Sequence, residues 1–431
     1  MTNKHLPQII SPDGHAISLS AVSDNAIKII QELKGAGYEA HLVGGCVRDL
    51  LLGRIPKDFD IATDAQPEEI KSLFRGCRLI GRRFRLAHVR INGEIIEVAT
   101  FRTAPSGADD VDDDRTHITD HGRVLRDNVY GTQEDDVLRR DFTINALYFD
   151  PQEQSVTDFV GGMIDLEKRV IRTIGDPLER LREDPVRMLR AVRFAAKLQF
   201  DIDPLARSAT AELASLLLHV PPARMLDEVI KLFHGGYALR TYEMLREYGL
   251  FRYLFPFTEQ CLDGVTPNLS SLALANTDSR IQLDKPVIPA FLFACLLWDP
   301  LQADIHKLQD GGMDSRRAWS IATADAVRDQ ALHVAIPKRF VLVIKDIWAL
   351  QPLLEHRSPK NINRLLAHKR FRAAYDLLLL RTEVNEINSE IAQWWTRIQE
   401  TNQQEREGMI RGLRVSAPKR GRRRKRKSRA A

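Results

Sequence analysis

The chain has little of what marks secretion, membrane insertion or a disulfide scaffold. Among its 431 residues are four cysteines, Cys46, Cys77, Cys261 and Cys295. They are widely scattered and form no CxxC pair, which excludes a zinc knuckle and a disulfide framework and leaves small buried or half-buried residues. No stretch reaches the roughly 18 apolar residues of a membrane span. The N-terminus, MTNKHLPQIISPDGHAISLS, lacks the basic flank and unbroken apolar block of a signal peptide. A cytoplasmic protein is therefore expected. With 44% hydrophobic and 28% charged residues, the chain is long enough for two or three domains, each with its own core.

Acid is missing from one place in particular. The last thirteen residues hold nine Lys or Arg (Lys419, Arg420, Arg422, Arg423, Arg424, Lys425, Arg426, Lys427 and Arg429) and no Asp or Glu. Without them the chain has 54 basic against 58 acidic residues, so the formal charge of +5 belongs to the tail and the body is mildly acidic. Such a tail reads as a disordered cationic arm for a polyanion, for which RNA, DNA and anionic lipid all qualify; a merely solvated tail is the alternative.

From about 26 to 158 the periodicity alternates between helix and strand, and beyond 176 it is almost wholly helical. The spacing predicts helices over 26–35 and 47–52, strands over 39–43 and 58–63, and a hairpin of 85–91 with 94–100 around Asn92-Gly93, a type I′ turn pair. The sheet is therefore mixed and the fold class α+β. Between 103 and 136 the sequence is polar and without apolar period, and its clustered Asp109, Asp110, Asp112, Asp113 and Asp114 lack calcium-loop spacing, so a mobile loop is expected. Helical spacing covers 184–198, 205–218, 223–233, 238–250 and several segments from 289 to 399. We divide the chain into an N-terminal extension (1–25), an α/β domain (26–175), a helical region (176–260), a helical C-terminal body (261–417) and the basic tail (418–431).

In DFDIAT, Asp58 and Asp60 are two apart. On a strand both then face one side, with Phe59 and Ile61 facing the other. Two carboxylates so placed can hold magnesium ions against triphosphate oxygens and lower the pKa of an attacking hydroxyl. Just upstream, GGCVRDLLLGR has Gly44 and Gly45, which let backbone approach a phosphate closely, a helix N-terminus, and Arg48 as a fixed cation. The competing reading is a Gly-Gly helix start with Arg48 in an internal ion pair.

These two segments together resemble the first motif of the nucleotidyltransferases that include tRNA CCA-adding enzymes and bacterial poly(A) polymerases. LRRDFTINAL (138–147) resembles their second motif, and EDPVRMLRAVRFAAKL (183–198) resembles the helix that reads the incoming base. In physical terms Arg139 and Arg140 can neutralise phosphate, while Asp141 can add a third carboxylate or grip a ribose hydroxyl. Glu97 competes with Asp141 for the third carboxylate position; the resemblance favours Asp141. In 183–198, Asp184, Arg187, Arg190 and Arg193 recur every three residues as a polar stripe, with Met188, Leu189, Val192 and Phe194 on the packed side. A solvated face is the alternative. The resemblance implies that Asp184 and Arg187 contact the base edge, with Arg190 and Arg193 ordering the base site and phosphates. It also implies a nucleotidyltransferase palm followed by an all-helical neck and body.

GRRFRLAHV, within 77–102, is similar to the poly(A) polymerase branch; Arg82, Arg83 and Arg85 can bind phosphate or simply flank a strand whose Phe84 and Leu86 are core. The basic tail also resembles that branch. The activity so implied is template-independent addition of AMP from ATP to RNA 3′ ends with a two-magnesium site. RNA-decay or RNA-chaperone proteins are expected as further partners. CCA addition from CTP and ATP is the alternative activity, and an inactive RNA-binding relative the alternative class. Trp394 and Trp395 read as packing residues rather than a base-stacking platform.

Overall fold

The computed structural model describes residues 6–81, 85–103, 129–262 and 267–415. Two compact units emerge, Met1–Val220 with Glu243–Tyr253, and Pro221–Tyr242 with Leu254–Ala431.

The first unit is built on an eight-stranded sheet of order β1-β8-β7-β2-β3-β6-β5-β4. Its strands are β1 Gln8–Ile10, β2 Ala40–Val43, β3 Asp60–Thr63, β4 Cys77–Ile80, β5 Leu86–Ile91, β6 Glu94–Thr100, β7 Leu147–Asp150 and β8 Ser155–Asp158. All neighbours are antiparallel except β3 and β6, which run parallel with Asp60 opposite Glu97, so the sheet is mixed as expected. The β5–β6 turn places both Asn92 (φ 49°) and Gly93 (φ 88°) in the left-handed region, as a type I′ hairpin requires.

Helices α1 Asp24–Gly35, α2 Gly45–Leu51 and α3 Pro67–Leu73 accompany the first strands. Ser23 caps α1 by accepting from the amides of Asn25 and Ala26 at 3.2 and 3.4 Å. The apolar stripe of α1, Ile29, Ile30 and Leu33, packs with Val47 and Leu50 of α2 on Leu42, Ile61, Ile96 and Val98 of the sheet. Each such side chain contributes about 1.5–3 kcal/mol by leaving water. The opposite face of the sheet holds a second cluster, Val43, Ala62, Phe101, Val137, Ala146, Tyr148 and Ile174. Strand alternation puts Asp60 and Glu97 on this second face, because Ile61, Ile96 and Val98 belong to the first.

Two sequence expectations change here, and the N-terminal extension, left without elements, gains one. The strand predicted over 58–63 starts at Asp60, and Asp58 sits in the bend before it, since Lys57 and Asp58 are exposed and make no ladder pair. The expected loop of 103–136 ends in a helix, α4 Gln133–Leu138, capped by Thr132 and Asp135; its five aspartates lie outside the described residues. The N-terminal extension contributes an edge strand, β1 paired to β8.

The unit continues with α5 Gly162–Lys168, β9 Val170–Ile171, α6 Pro177–Glu183, α7 Val186–Leu198, β10 Asp201–Ile202 and α8 Pro204–Leu213. Asp176 caps α6 by accepting from the Glu179 amide at 3.0 Å, with Pro177 in the first turn.

Every remaining element is helical: α9 Pro222–Phe233, α10 Ala238–Glu247, α11 Phe251–Leu254, α12 Pro256–Gln260, α13 Leu269–Gln282, α14 Pro289–Leu296, α15 Trp298–Asp310, α16 Ser315–Gln330, α17 Lys338–His356, α18 Ile362–Leu366, α19 Phe371–Glu383, α20 Ser389–Glu400 and α21 Gln403–Val415. Trp395 is fully buried here, donating its indole N–H to the Leu354 carbonyl at 2.8 Å, and Trp394 meets it edge-on. The pair is packing. No helix among the described residues is long and apolar enough to cross a membrane.

Candidate nucleotidyl-transfer site

The three motifs converge within the first unit. Gly44 ends β2 at φ 79°, ψ −130°, a conformation that disfavours any L side chain, and a Cβ there would lie 3.5 Å from the Arg140 guanidinium. Gly44 and Gly45 thus bring backbone of the first motif against an arginine of the second.

Arg48 is where the two sequence readings part. It is 2% exposed. Its Nε and Nη2 donate to Asp49 Oδ1 at 2.9 and 2.7 Å, and its Nη1 donates to Asn145 Oδ1 at 2.6 Å. Its guanidinium also lies 5.2 Å from the centre of the Phe194 ring. The internal ion pair is therefore the observed arrangement, and it ties α2 to both later motifs.

Asp60 is half-buried and Asp58 exposed. Burial, then the neighbouring Glu97 carboxylate and Asp58, outweigh Arg140 and push the Asp60 carboxyl up to about 6. Glu97 itself lies 3.2 Å from His88 of β5. Among the described residues no three His, Cys, Asp or Glu side chains close on one point as a preformed metal cage. What the sheet provides is a row of carboxylates that repel one another.

Asp141 stands in different company. It is paired with Arg190, whose Nε donates to Oδ2 at 2.7 Å, and it accepts from the Phe142 amide at 2.9 Å and Asn145 Nδ2 at 3.2 Å. Burial would raise its carboxyl, but Arg190 and these donors hold it below the ordinary carboxylate value. Strand pairing puts Glu97, the competitor, beside Asp60.

Arg139 and Arg140 share one partner that motif reading passed over. Asp136 is 1% exposed and takes both guanidiniums. Arg140 Nη2 donates to its Oδ2 at 2.8 Å, and the Tyr148 hydroxyl donates to the same oxygen at 2.5 Å. Burial would raise Asp136, yet the arginines and the tyrosine bring it down to about 2. Its Oδ1 also accepts from the Arg102 amide at 3.3 Å, which fastens the end of β6. The sequence signal was an acid one helical turn before the arginine pair. Asn145 and Phe194 were missed as well, because their partners come from distant segments.

In the third motif the polar stripe of α7 faces the second motif rather than solvent. Arg187 Nη1 donates to the Arg180 carbonyl at 2.7 Å and to Glu183 at 2.9 Å, and its Nη2 reaches the Arg139 carbonyl at 3.5 Å. Arg190 and Arg193 lie 5.4 and 4.9 Å from the Phe194 ring centre, and Phe194 meets Phe142 edge-on at 5.8 Å. Asp184 ends α6, and its Oδ1 accepts from the Val186 amide at 3.2 Å. Arg85 makes an exposed pair with Glu68. Arg82, Arg83 and Phe84, like the basic tail at 419–431, lie outside the described residues. The cysteines are free and buried or half-buried, and burial pushes the Cys46 thiol up to about 12, which leaves it inert.

The chain matches three family models: "Poly A polymerase head domain" over residues 40–172, "Probable RNA and SrmB- binding site of polymerase A" over 199–262, and "Polymerase A arginine-rich C-terminus" over 311–429. It is 48% identical to Poly(A) polymerase I of Salmonella typhi, covering 97% of this chain and 92% of that one. To Poly(A) polymerase I of Haemophilus influenzae it is 43% identical over 95% and 92% of the two chains. To the CCA-adding enzyme of Geobacillus sp. (strain WCH70) it is 41% identical over about half of each chain, 53% and 54%. Among solved structures, the Bacillus stearothermophilus CCA-adding enzyme in complex with CTP superposes with TM-score 0.58 at 29% identity, covering 86% and 80% of the two chains. A nucleotidyltransferase fold with a helical C-terminal body is therefore shared with the CCA-adding enzymes, whereas near-complete coverage at high identity is found with the other branch, and the chain belongs to the poly(A) polymerase family.

Proposed function

We propose that this chain extends RNA 3′ ends with AMP units taken from ATP, releasing pyrophosphate. Identity of 48% across 97% of the chain to Poly(A) polymerase I carries the reading, and the site supplies parts for it. Asp58 and Asp60, with Glu97 beside them, form a set of hard oxygen donors that suits magnesium, and the Asp60 carboxyl is raised first by burial and then by the Glu97 and Asp58 carboxylates, with Arg140 opposing. Magnesium bound there would neutralise triphosphate charge and lower the pKa of the attacking 3′-hydroxyl.

The remaining work falls to the chain itself. Gly44 and Gly45 offer backbone to the triphosphate, and Arg48, locked on Asp49 and Asn145, holds that floor from beneath. Arg139 and Arg140, aimed by Asp136, supply positive charge to the phosphates. Asp141 orders Arg190 and the base site, which leaves Glu97, opposite Asp60 on the neighbouring strand, as the third carboxylate that would help hold magnesium. Asp184 and Arg187 read the adenine edge, with Arg190 and Arg193, which pack on Phe194, ordering the base site and phosphates. Positioning and charge neutralisation then supply the acceleration, with no covalent intermediate. The cationic residues of 419–431 hold RNA without regard to sequence, so their removal weakens RNA binding and flattens its salt dependence. A cytoplasmic setting and RNA-decay or RNA-chaperone partners complete the reading.

The deciding experiment is magnesium-dependent extension of a generic RNA and of a tRNA lacking CCA, with each nucleoside triphosphate alone and with CTP plus ATP. A long ladder with ATP alone is expected. A stop after three additions, needing CTP and confined to the tRNA, would overturn the proposal in favour of CCA addition.

A further inference from the structure

In the second unit a cleft of about 140 Å3 opens between α13, α14, α17 and the start of α19. Its floor is apolar, with Phe291 and Ile347, and its rim is cationic, with Arg280, Lys369, Arg370 and Arg372. The one carboxylate in the lining, Asp376, is held by Arg372 at 3.0 Å, so the lining carries a net charge of three positive beside its apolar residues. Arg280 is braced by donating from Nε and Nη2 to the Pro286 carbonyl at 3.3 and 3.0 Å, which fixes its guanidinium plane. The Nε of Arg370 is buried and has no hydrogen-bond partner. Leaving that donor unmade is costly, so Arg370 gains from a rearrangement that gives it an acceptor.

We propose that this cleft binds one nucleotide unit of the RNA strand, its phosphodiester on Arg370, Arg280 and Lys369 and its base on the apolar floor. Fixed guanidiniums recognise phosphate oxygens, and an aromatic and aliphatic floor takes the face of any base, so recognition is by charge and stacking rather than sequence. The cleft is smaller than the pockets that enclose drug-sized ligands, and it suits a single ring with its phosphate outside. The proposal rests on RNA being the substrate.

The test is fluorescence anisotropy of a labelled single-stranded RNA of mixed sequence on the full chain, titrated at several salt concentrations. Wild type is compared with Lys369→Ala/Arg370→Ala and with Arg316→Ala/Arg317→Ala, a change of equal charge on exposed residues of α16. The cleft variant should lose about tenfold in affinity near physiological salt, and its log–log salt slope should fall by about 0.7, as expected for the loss of one phosphate contact on a single strand. The α16 variant should change much less. An unchanged slope in the cleft variant would overturn the proposal, and so would equal losses in the two variants, which would mean diffuse charge rather than a site. Phe291→Leu keeps the charge and most of the floor volume; it should weaken binding severalfold with the salt slope intact, and unaltered affinity would remove the stacking half of the proposal. AMP incorporation by wild type is measured in parallel: its absence alongside a selective loss of binding in the cleft variant would sink the polyadenylation reading and leave the cleft standing.

Discussion

Two groups of carboxylates lie in the first unit and differ in company. Asp60 and Glu97 sit side by side across a strand pair with Asp58 exposed nearby, and burial and mutual repulsion push Asp60 up to about 6. Asp136 takes two guanidiniums, and Asp141 takes that of Arg190 with the Asn145 and Phe142 donors, which holds both below the ordinary value. Charge that the fold satisfies is architecture. Charge that the fold leaves in excess is where an external cation and a phosphate belong.

The sharpest way to break this contrast is at Asp60. Asp60→Asn should lower magnesium-dependent AMP incorporation by about a thousandfold or more while the melting temperature holds or rises, since a repelled charge has been removed. A clear fall in melting temperature would place Asp60 with the architectural group. Asp136→Asn should do the opposite first, destabilising the fold by about 3–5 kcal/mol because two guanidiniums lose a buried partner. The folded Asp136 carboxyl lies at about 2 against an ordinary 3.8. Its stabilisation is therefore complete above about pH 4 and is lost as pH falls through about 2. Urea melts across that window should show a larger fall in wild type than in the variant, which keeps the other depressed carboxylates such as Asp141. Arg187→Ala sharpens the division further: with the base edge less well read, preference for ATP over CTP should relax by about tenfold, measured by single-nucleotide incorporation. The smallest effect is expected at Arg85→Ala. The Arg85–Glu68 pair is about half exposed on both sides, at 52% and 58%, so urea stability should move by less than about 0.5 kcal/mol.

Local structure was legible in the sequence where its cause is local. Asn92-Gly93 specifies its own turn, and the apolar stripe of α7 needs no distant information to be seen. Asp58 was placed on the strand because alternation alone says nothing of where a ladder partner is lacking. Arg48 could be read either as a phosphate ligand or as an ion-pair centre, and the choice depends on Asn145, which is 97 residues away. For the same reason Glu97 could be named as a competitor for the third carboxylate but not placed. Parallel pairing of β3 with β6 puts it beside Asp60, and register between strands from separate segments is a tertiary fact. Asp136 was hidden inside an acidic stretch whose other members have no such role assigned.

The parallel register of β3 and β6 also has a consequence for how the protein comes to life. Antiparallel neighbours can zip from a turn, but a parallel pair forms only after the chain has looped back on itself. The sheet also includes β1, paired with Gln8 opposite Asp158 from the far end of the unit. Non-local pairings of this kind are slow steps in folding. A half-made or partly unfolded chain would thus cling to RNA by charge alone and extend nothing, so the onset of catalysis during refolding should serve as a clock for closure of the sheet.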